Sequence, residues 1–191
     1  CEGDPATLRK DKRPDLVFDD FESETYTNWT PTGTSFGNGP VTQNNVPVYQ
    51  GKLNLHGMRA VNSHALALGK TVEARDGAIG TLTSKTFRIE RDFITFLVGG
   101  GAHRNRTCMN LLVDGKVVRS ATGNNNNGMS PQTFDVRRWG GMEGALQIAD
   151  DEKGPWGNIG VDTIVFTDDP GAPLKPLVEQ PDYGSMGLAL L

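Results

Sequence analysis

Turn-forming residues cut this chain into short pieces, and their spacing constrains the fold more than any other feature. Glycine supplies 24 and proline 11 of the 191 residues, which favours many short elements joined by turns over long helices. Between the turns lie runs rich in β-branched and aromatic residues at strand lengths: "LVFDDF" (16–21), "VPVYQGKLNL" (46–55), "IGTLTSKTFRI" (79–89) and "DFITFLV" (92–98). "CMNLLV" and "KVVRSA" flank Asp114-Gly115, the two-residue signal of a type I′ hairpin. "PQTFDV" (131–136), "GALQIAD" (144–150) and "NIGVDTIVF" (158–166) complete the series. "TGTSFGNGP", "TGNNNNG" and "DDEKGPWG" between them are loop chemistry. Short strands at roughly 8–12-residue spacing, with no helices between them, predict an all-β chain folded as an antiparallel β-sandwich or jelly roll. Residues 60–78 are the one place where a short helix could form.

The sandwich is expected over residues 15–167. Residues 1–14 read as a flexible, charged leader. Residues 168–191 read as a Pro-rich linker and the start of a following or docking segment, because Leu188, Leu190 and Leu191 would have little to bury against in a finished domain. A tail packed back on the sandwich is the alternative. Two cysteines, Cys1 and Cys108, exclude a disulfide framework and have no metal-type spacing. A chain that opens on Cys1 and continues as a polar tether resembles a bacterial lipoprotein after signal cleavage, lipid-anchored at a cell surface or in the periplasm. The alternative is a boundary that happens to fall at a cysteine. The net charge of −4 argues against nucleic acid as a partner. No apolar run approaches the ~20 residues of a membrane span.

Three segments carry a family resemblance: "FESETYTNWTPTGTSFGNGPV", "GTLTSKTFRIERDFITFLVGGGAHRNRTCMNLLVDGKVVRSATG" and "WGNIGVDTIVFTDD". Over about residues 17–167 they are similar to the β-sandwich accessory module of bacterial glycoside hydrolases of the levanase and fructan-cleaving type. That resemblance implies a galactose-binding-like jelly roll, secreted or surface-held, without catalytic machinery, which binds glycan (fructan among the candidates) beside a neighbouring catalytic domain. A purely structural module and a small glycoside hydrolase are the alternatives. The chain departs from the family in the expanded "VNSHALALGKTVEARDGAIG" and at Trp156-Gly157-Asn158, where the family has Trp-Gly-His.

More distantly, the opening Phe-Glu, the Trp that follows and a late Asp resemble carbohydrate-binding modules that hold a structural calcium. Glu22 and Asp162 are the matching residues, and they become neighbours if the first and last strands pair. Calcium wants six to eight oxygens. Asp162 shares a face with Ile164 and Phe166, so it needs a metal, an Arg or backbone amides to offset burial.

A sugar site combines an aromatic face with planar polar groups. His103, Arg104 and Asn105 follow the triple glycine 99–101, Trp156 lies in a glycine-flanked loop, and Asn62, Arg75 and Asp76 are second candidates. The glycines read either as a bulge or as backbone that something must approach closely. His103 and Arg104 are expected on an exposed rim near Trp156 or the 62–76 loop. Catalysis is not expected: Cys108 reads as a buried thiol, Trp29 as core, and Asp150-Asp151 as part of a solvated charge cluster.

Overall fold

The computed structural model describes residues 13–171. The leader at 1–12 and the tail from 172 onward, with Cys1, lie outside the described residues. In chain order the elements are β1 (Leu16–Asp19), β2 (Trp29–Gly33), β3 (Val41–Thr42), β4 (Arg59–Asn62), α1 (Val72–Asp76), β5 (Gly80–Ser84), β6 (Phe87–Arg88), β7 (Phe93–Gly100), β8 (Thr107–Val113), β9 (Lys116–Ala121), β10 (Asn126–Asp135), β11 (Glu143–Asp150) and β12 (Ile159–Thr167). Two antiparallel sheets face each other in a jelly-roll sandwich. One runs β10-β7-β12-β4-β3, with β1 also on β12; the other runs β2-β5-β11-β8-β9, with β6 also on β11. Among the described residues no helix is long and apolar enough to cross a membrane.

Alternation along the strands fills the space between the sheets. Ile94, Phe96 and Val98 of β7 meet Met109 and Leu111 of β8, with Leu146 and Ile148 of β11 beside them. Trp29 joins this core while its indole N–H donates to Asp19 Oδ2 at 2.8 Å, so a large ring is buried with its polar atom satisfied. Cys108 is buried and unpaired in β8, and burial pushes its thiol up. The intervening β7 residue Leu97 is buried too, in a second cluster with Val41, Leu53, Ala60 and Met129. "FITFLV" is apolar on both faces because the chain before β4 covers the sheet's outer side.

The first and last strands pair, Leu16 opposite Phe166 and Val17 opposite Val165. The ends of the described chain are clasped as well. Arg13 reaches Asp168 through Nε and Nη2 at 2.7 and 2.6 Å, and Arg91 donates to the Pro14 carbonyl at 3.0 Å. These contacts hold Arg13, Pro14 and Asp168 against the sandwich.

Three readings of local structure are corrected. Residues 46–55 form no strand: Pro47 lacks an amide proton, Gly51 sits at φ 70°, and Val48–Gln50 close into a 3-10 turn with Val48 97% exposed. Gln43 holds that turn shut, donating to the Gly51 carbonyl and accepting from the Leu53 amide. The stretch 60–78 begins as β4 and, as expected, holds a short helix, Val72–Asp76, capped by Thr71 Oγ1 accepting from the Ala74 amide at 3.1 Å. β10 starts at Asn126, inside "TGNNNNG". The turn-rich stretch after β1 hides β2 and β3, whose Thr, Pro and Gly content masks them.

Candidate functional site

The loops that leave β4 and β7 and those that enter β10 and β12 converge at one end of the sandwich. Glycine makes the convergence possible. Gly100 adopts φ +97°, and a Cβ there would stand 2.9 Å from Ile159 Cα and closer still to the Asn158 carbonyl oxygen. A Cβ on Gly101 would overlap the Trp156 carbonyl, and the Gly101 amide donates to Asn158 O at 2.8 Å. The triple glycine is therefore not bare backbone awaiting a ligand. It is the bed on which the 154–158 loop lies.

That loop, the Val48–Gln50 turn and α1 enclose an open hollow of about 250 Å³. Tyr49 and Trp156 give it two partly exposed aromatic rings, at 58% and 37% exposure. Gln50, Asn127 and Asn158 add amides. Asn158 Nδ2 donates to Asn127 Oδ1 at 2.7 Å, and Asn127 Nδ2 to the Gln50 carbonyl at 3.2 Å, so the amides are held as a rigid set.

His64 lies beneath, 2% exposed. Its Nδ1 is 2.7 Å from Asp76 Oδ1, and its Nε2 is 2.8 Å from Tyr49 Oη. Tyr49 meets the imidazole edge-on, with ring centroids 5.6 Å apart. Burial holds the His64 pKa below its usual value against the pull of Asp76, and burial holds the Asp76 carboxyl above its own. The Trp156 amide also serves Asp76.

The residues singled out from sequence divide sharply. Asp76 and Trp156 line the hollow. Asn62 does not: it is buried, accepting from the His64 and Ala65 amides at 2.9 and 2.7 Å and donating to Gln50 Oε1 at 3.4 Å. It sets the turn that aims His64. Arg75 spends its guanidinium on the Gly69 and Ala65 carbonyls, tying the 65–69 loop to α1. His103 sits behind the aromatic loop, its Nε2 3.0 Å from the Pro155 carbonyl and its Nδ1 3.4 Å from Glu152, which Arg106 also grips at 2.7 Å. Arg104 and Asn105 are exposed, Asn105 at φ 65°, and neither lines the hollow.

Tyr49, His64 and Asn127 escaped sequence reasoning. Tyr49 looked like part of a strand, His64 had no partner within reach along the chain, and Asn127 is one of four asparagines in a row. Gly33-Thr34-Ser35-Phe36-Gly37 fits the Gly-x-Ser-x-Gly pattern of hydrolase nucleophiles. Ser35 is fully buried and followed by no helix, so the pattern lacks its structural context.

Asp150 is corrected from solvated to buried. Among the described residues neither of its oxygens makes a well-formed hydrogen bond. Burial pushes its carboxyl up to about 7 against the weak pull of the Ser63 hydroxyl and the Glu152 amide. Asp151 beside it is exposed.

Glu22 and Asp162 both close on the 56–59 loop. Glu22 Oε1 accepts from the Met58 and Arg59 amides at 2.8 and 3.2 Å, and Asp162 Oδ2 from the His56 amide at 2.8 Å. Burial raises the Asp162 carboxyl to about 6, and the Glu22 charge adds to the effect. The His56 amide is thus one of the three partners the sequence left open for Asp162. Among the described residues no three His, Cys, Asp or Glu side chains converge as a metal set, so a calcium ion here would draw most of its oxygens from carbonyls and water.

No family model matches the chain. A curated protein of Aspergillus rugulosus, provisionally named glycosyl hydrolase ecdE, is 32% identical over 160 residues, 80% of this chain. The chain spans only 21% of that relative's length. Among solved structures, the K1 cleaved adhesin domain of Lys-gingipain from Porphyromonas gingivalis W83 is similar with a TM-score of 0.49 and 12% identity, over 82% of this chain and 99% of that one. TmCBM61 in complex with beta-1,4-galactotriose gives 0.46 and 16%, over 78% and 94%. A cyclase from Fischerella sp. TAU gives 0.43 and 13%, over 80% and 87%. At this level of overlap the structural likenesses carry no functional argument.

Proposed function

We propose that this chain is a non-catalytic carbohydrate-binding module of a larger, exported glycoside hydrolase, and that it holds its glycan in the hollow under Tyr49 and Trp156. The observation that carries the reading is the hollow itself: two exposed aromatic rings beside a fixed set of side-chain amides, the combination that sugar rings and hydroxyls require. Similarity to one fifth of a protein named as a glycosyl hydrolase supports attachment to a catalytic partner. Hydrolysis in the hollow is disfavoured because Asp76 is its only carboxylate, whereas glycosidases of the usual kind need two.

The test is a glycan array followed by calorimetry, with fructo-, galacto-, xylo- and cello-oligosaccharides and aryl glycosides as turnover controls. Trp156→Ala should weaken binding by about 1–2 kcal/mol, roughly 5–30-fold, while the partly exposed ring leaves the fold intact. If wild type binds none of these, the structural alternative gains, and one face already suits it. Leu16 and Val17 are 39% and 47% exposed on β1, beside a hollow lined by Phe18, Phe87 and Phe166, where a neighbouring domain could pack.

Calcium at Glu22 and Asp162 belongs to the same proposal as a structural ion joining the two chain ends, as does export with or without a lipid anchor on Cys1. Calcium well above micromolar should raise the melting temperature, and chelator should lower it, by mass action. A melting temperature that responds to neither removes the ion from the proposal.

A further inference from the structure

We infer that His64 and Asp76 fix Tyr49 as a hydrogen-bond acceptor toward the ligand, so that the hollow takes a hydroxyl-bearing neutral sugar and turns away groups that only accept, such as a uronate carboxylate. The ligand half of this inference rests on the carbohydrate reading; the proton placement does not.

The argument is one of counting protons. An ionised carboxylate only accepts, and a bare imidazole lone pair 2.7 Å from Asp76 Oδ1 would set two acceptors against each other, so that nitrogen carries the ring proton although its N–H is not well aligned on the oxygen. Neutral imidazole has one ring proton, which leaves Nε2 bare. The phenol 2.8 Å away must then donate to Nε2, and its proton is committed inward. What Tyr49 offers the hollow is oxygen lone pairs. A sugar hydroxyl can donate to them. A carboxylate, carbonyl or ether oxygen cannot, and would leave two acceptors facing each other at a desolvation cost.

Burial favours the neutral ring over the pull of Asp76. His64 is deeply buried, and Arg75 on α1 opposes its protonation while Asp76 favours it. Glu73 on α1 acts on Asp76, and Asp76 in turn acts on Asp150 of β11, so neither of these two carboxylates acts on the ring. Protonation in acid would add a proton at Nε2, turn Tyr49 outward as a donor and relax the discrimination.

Two readouts test this. Imidazole nitrogen NMR of the whole chain at pH 7 should show His64 neutral with its proton on Nδ1; a proton on Nε2, or a charged ring, overturns the inference whatever the ligand. Calorimetry with galacto-oligosaccharide and oligogalacturonate of equal length should favour the neutral probe by at least tenfold at pH 7, with the ratio shrinking in acid. Tyr49→Phe keeps the ring but should erase that preference, and Asp76→Asn should reduce it. A uronate that binds as well as the neutral probe overturns the selectivity. Failure of both probes and of the wider array overturns the ligand assignment together with the function beneath it, while the NMR result still decides the proton placement.

Discussion

Gly100→Ala should lower stability by about 2–5 kcal/mol. The new Cβ meets the backbone of Asn158 and Ile159, which cannot rotate away as a side chain would, and φ +97° is itself strained for any L side chain. For a domain of this size that corresponds to a fall of roughly 5–15 °C in melting temperature. Gly115→Ala is the matched control. Gly115 also has a positive φ, 70°, but nothing lies within 4 Å of the added carbon. It should cost only about 1–2 kcal/mol of backbone strain. Thermal denaturation of both variants separates strain from crowding. If Gly100→Ala is no worse than Gly115→Ala, the close backbone approach has been misjudged. Where the variant still folds, it should also lose glycan binding, because the loop that must move carries Trp156.

The second large effect is an inverted pH profile. Folding raises the Asp150 carboxyl to about 7 and the Asp162 carboxyl to about 6, above their ordinary carboxylate values. Between roughly pH 4 and 7 the folded chain therefore holds protons that the unfolded chain has released, and stability falls as pH rises through that window. Three pH units at Asp150 amount to at most about 4 kcal/mol. In the other direction, Arg13 holds Asp168 at about 2 and Arg137 holds Asp135 at about 2. Those contributions are lost only below about pH 4. The stability maximum should lie near pH 4–5 rather than at neutrality. Urea unfolding from pH 3 to 8 would trace it, and Asp150→Asn should flatten the fall above pH 5 and stabilise the protein at pH 8. A wild-type curve that rises from pH 5 to 8 would refute this account of Asp150. Bound calcium would mute the share of Asp162, so the titration is best done with and without chelator.

Local chemistry was readable from the sequence wherever a short window holds all of it. Asp114-Gly115 needs only its own φ angles to turn β8 into β9, and β9 spans the residues expected of it, Lys116–Ala121. β11 likewise carries its burial in its own alternation, and β7 and β12 carry theirs in apolar runs that suit strands covered on both faces. The candidate site is different. Its members stand at 49, 64, 76, 127 and 156, and no window contains two of them together with the reason they meet. Asp76 and Trp156 were legible as polar and aromatic residues; that Asn62 faces inward and Tyr49 outward was not, because Tyr49 lies in a short turn without a period and Asn62 ends a strand buried on both faces, from which no direction follows. The triple glycine shows the division most clearly. Its sequence determined that some backbone must come close, since only glycine leaves that room. Tertiary structure alone decided that the visitor is the protein's own 154–158 loop, because which loops share one end of a sandwich depends on strand order across two sheets, a property of long-range pairing that residue chemistry at 99–101 does not contain.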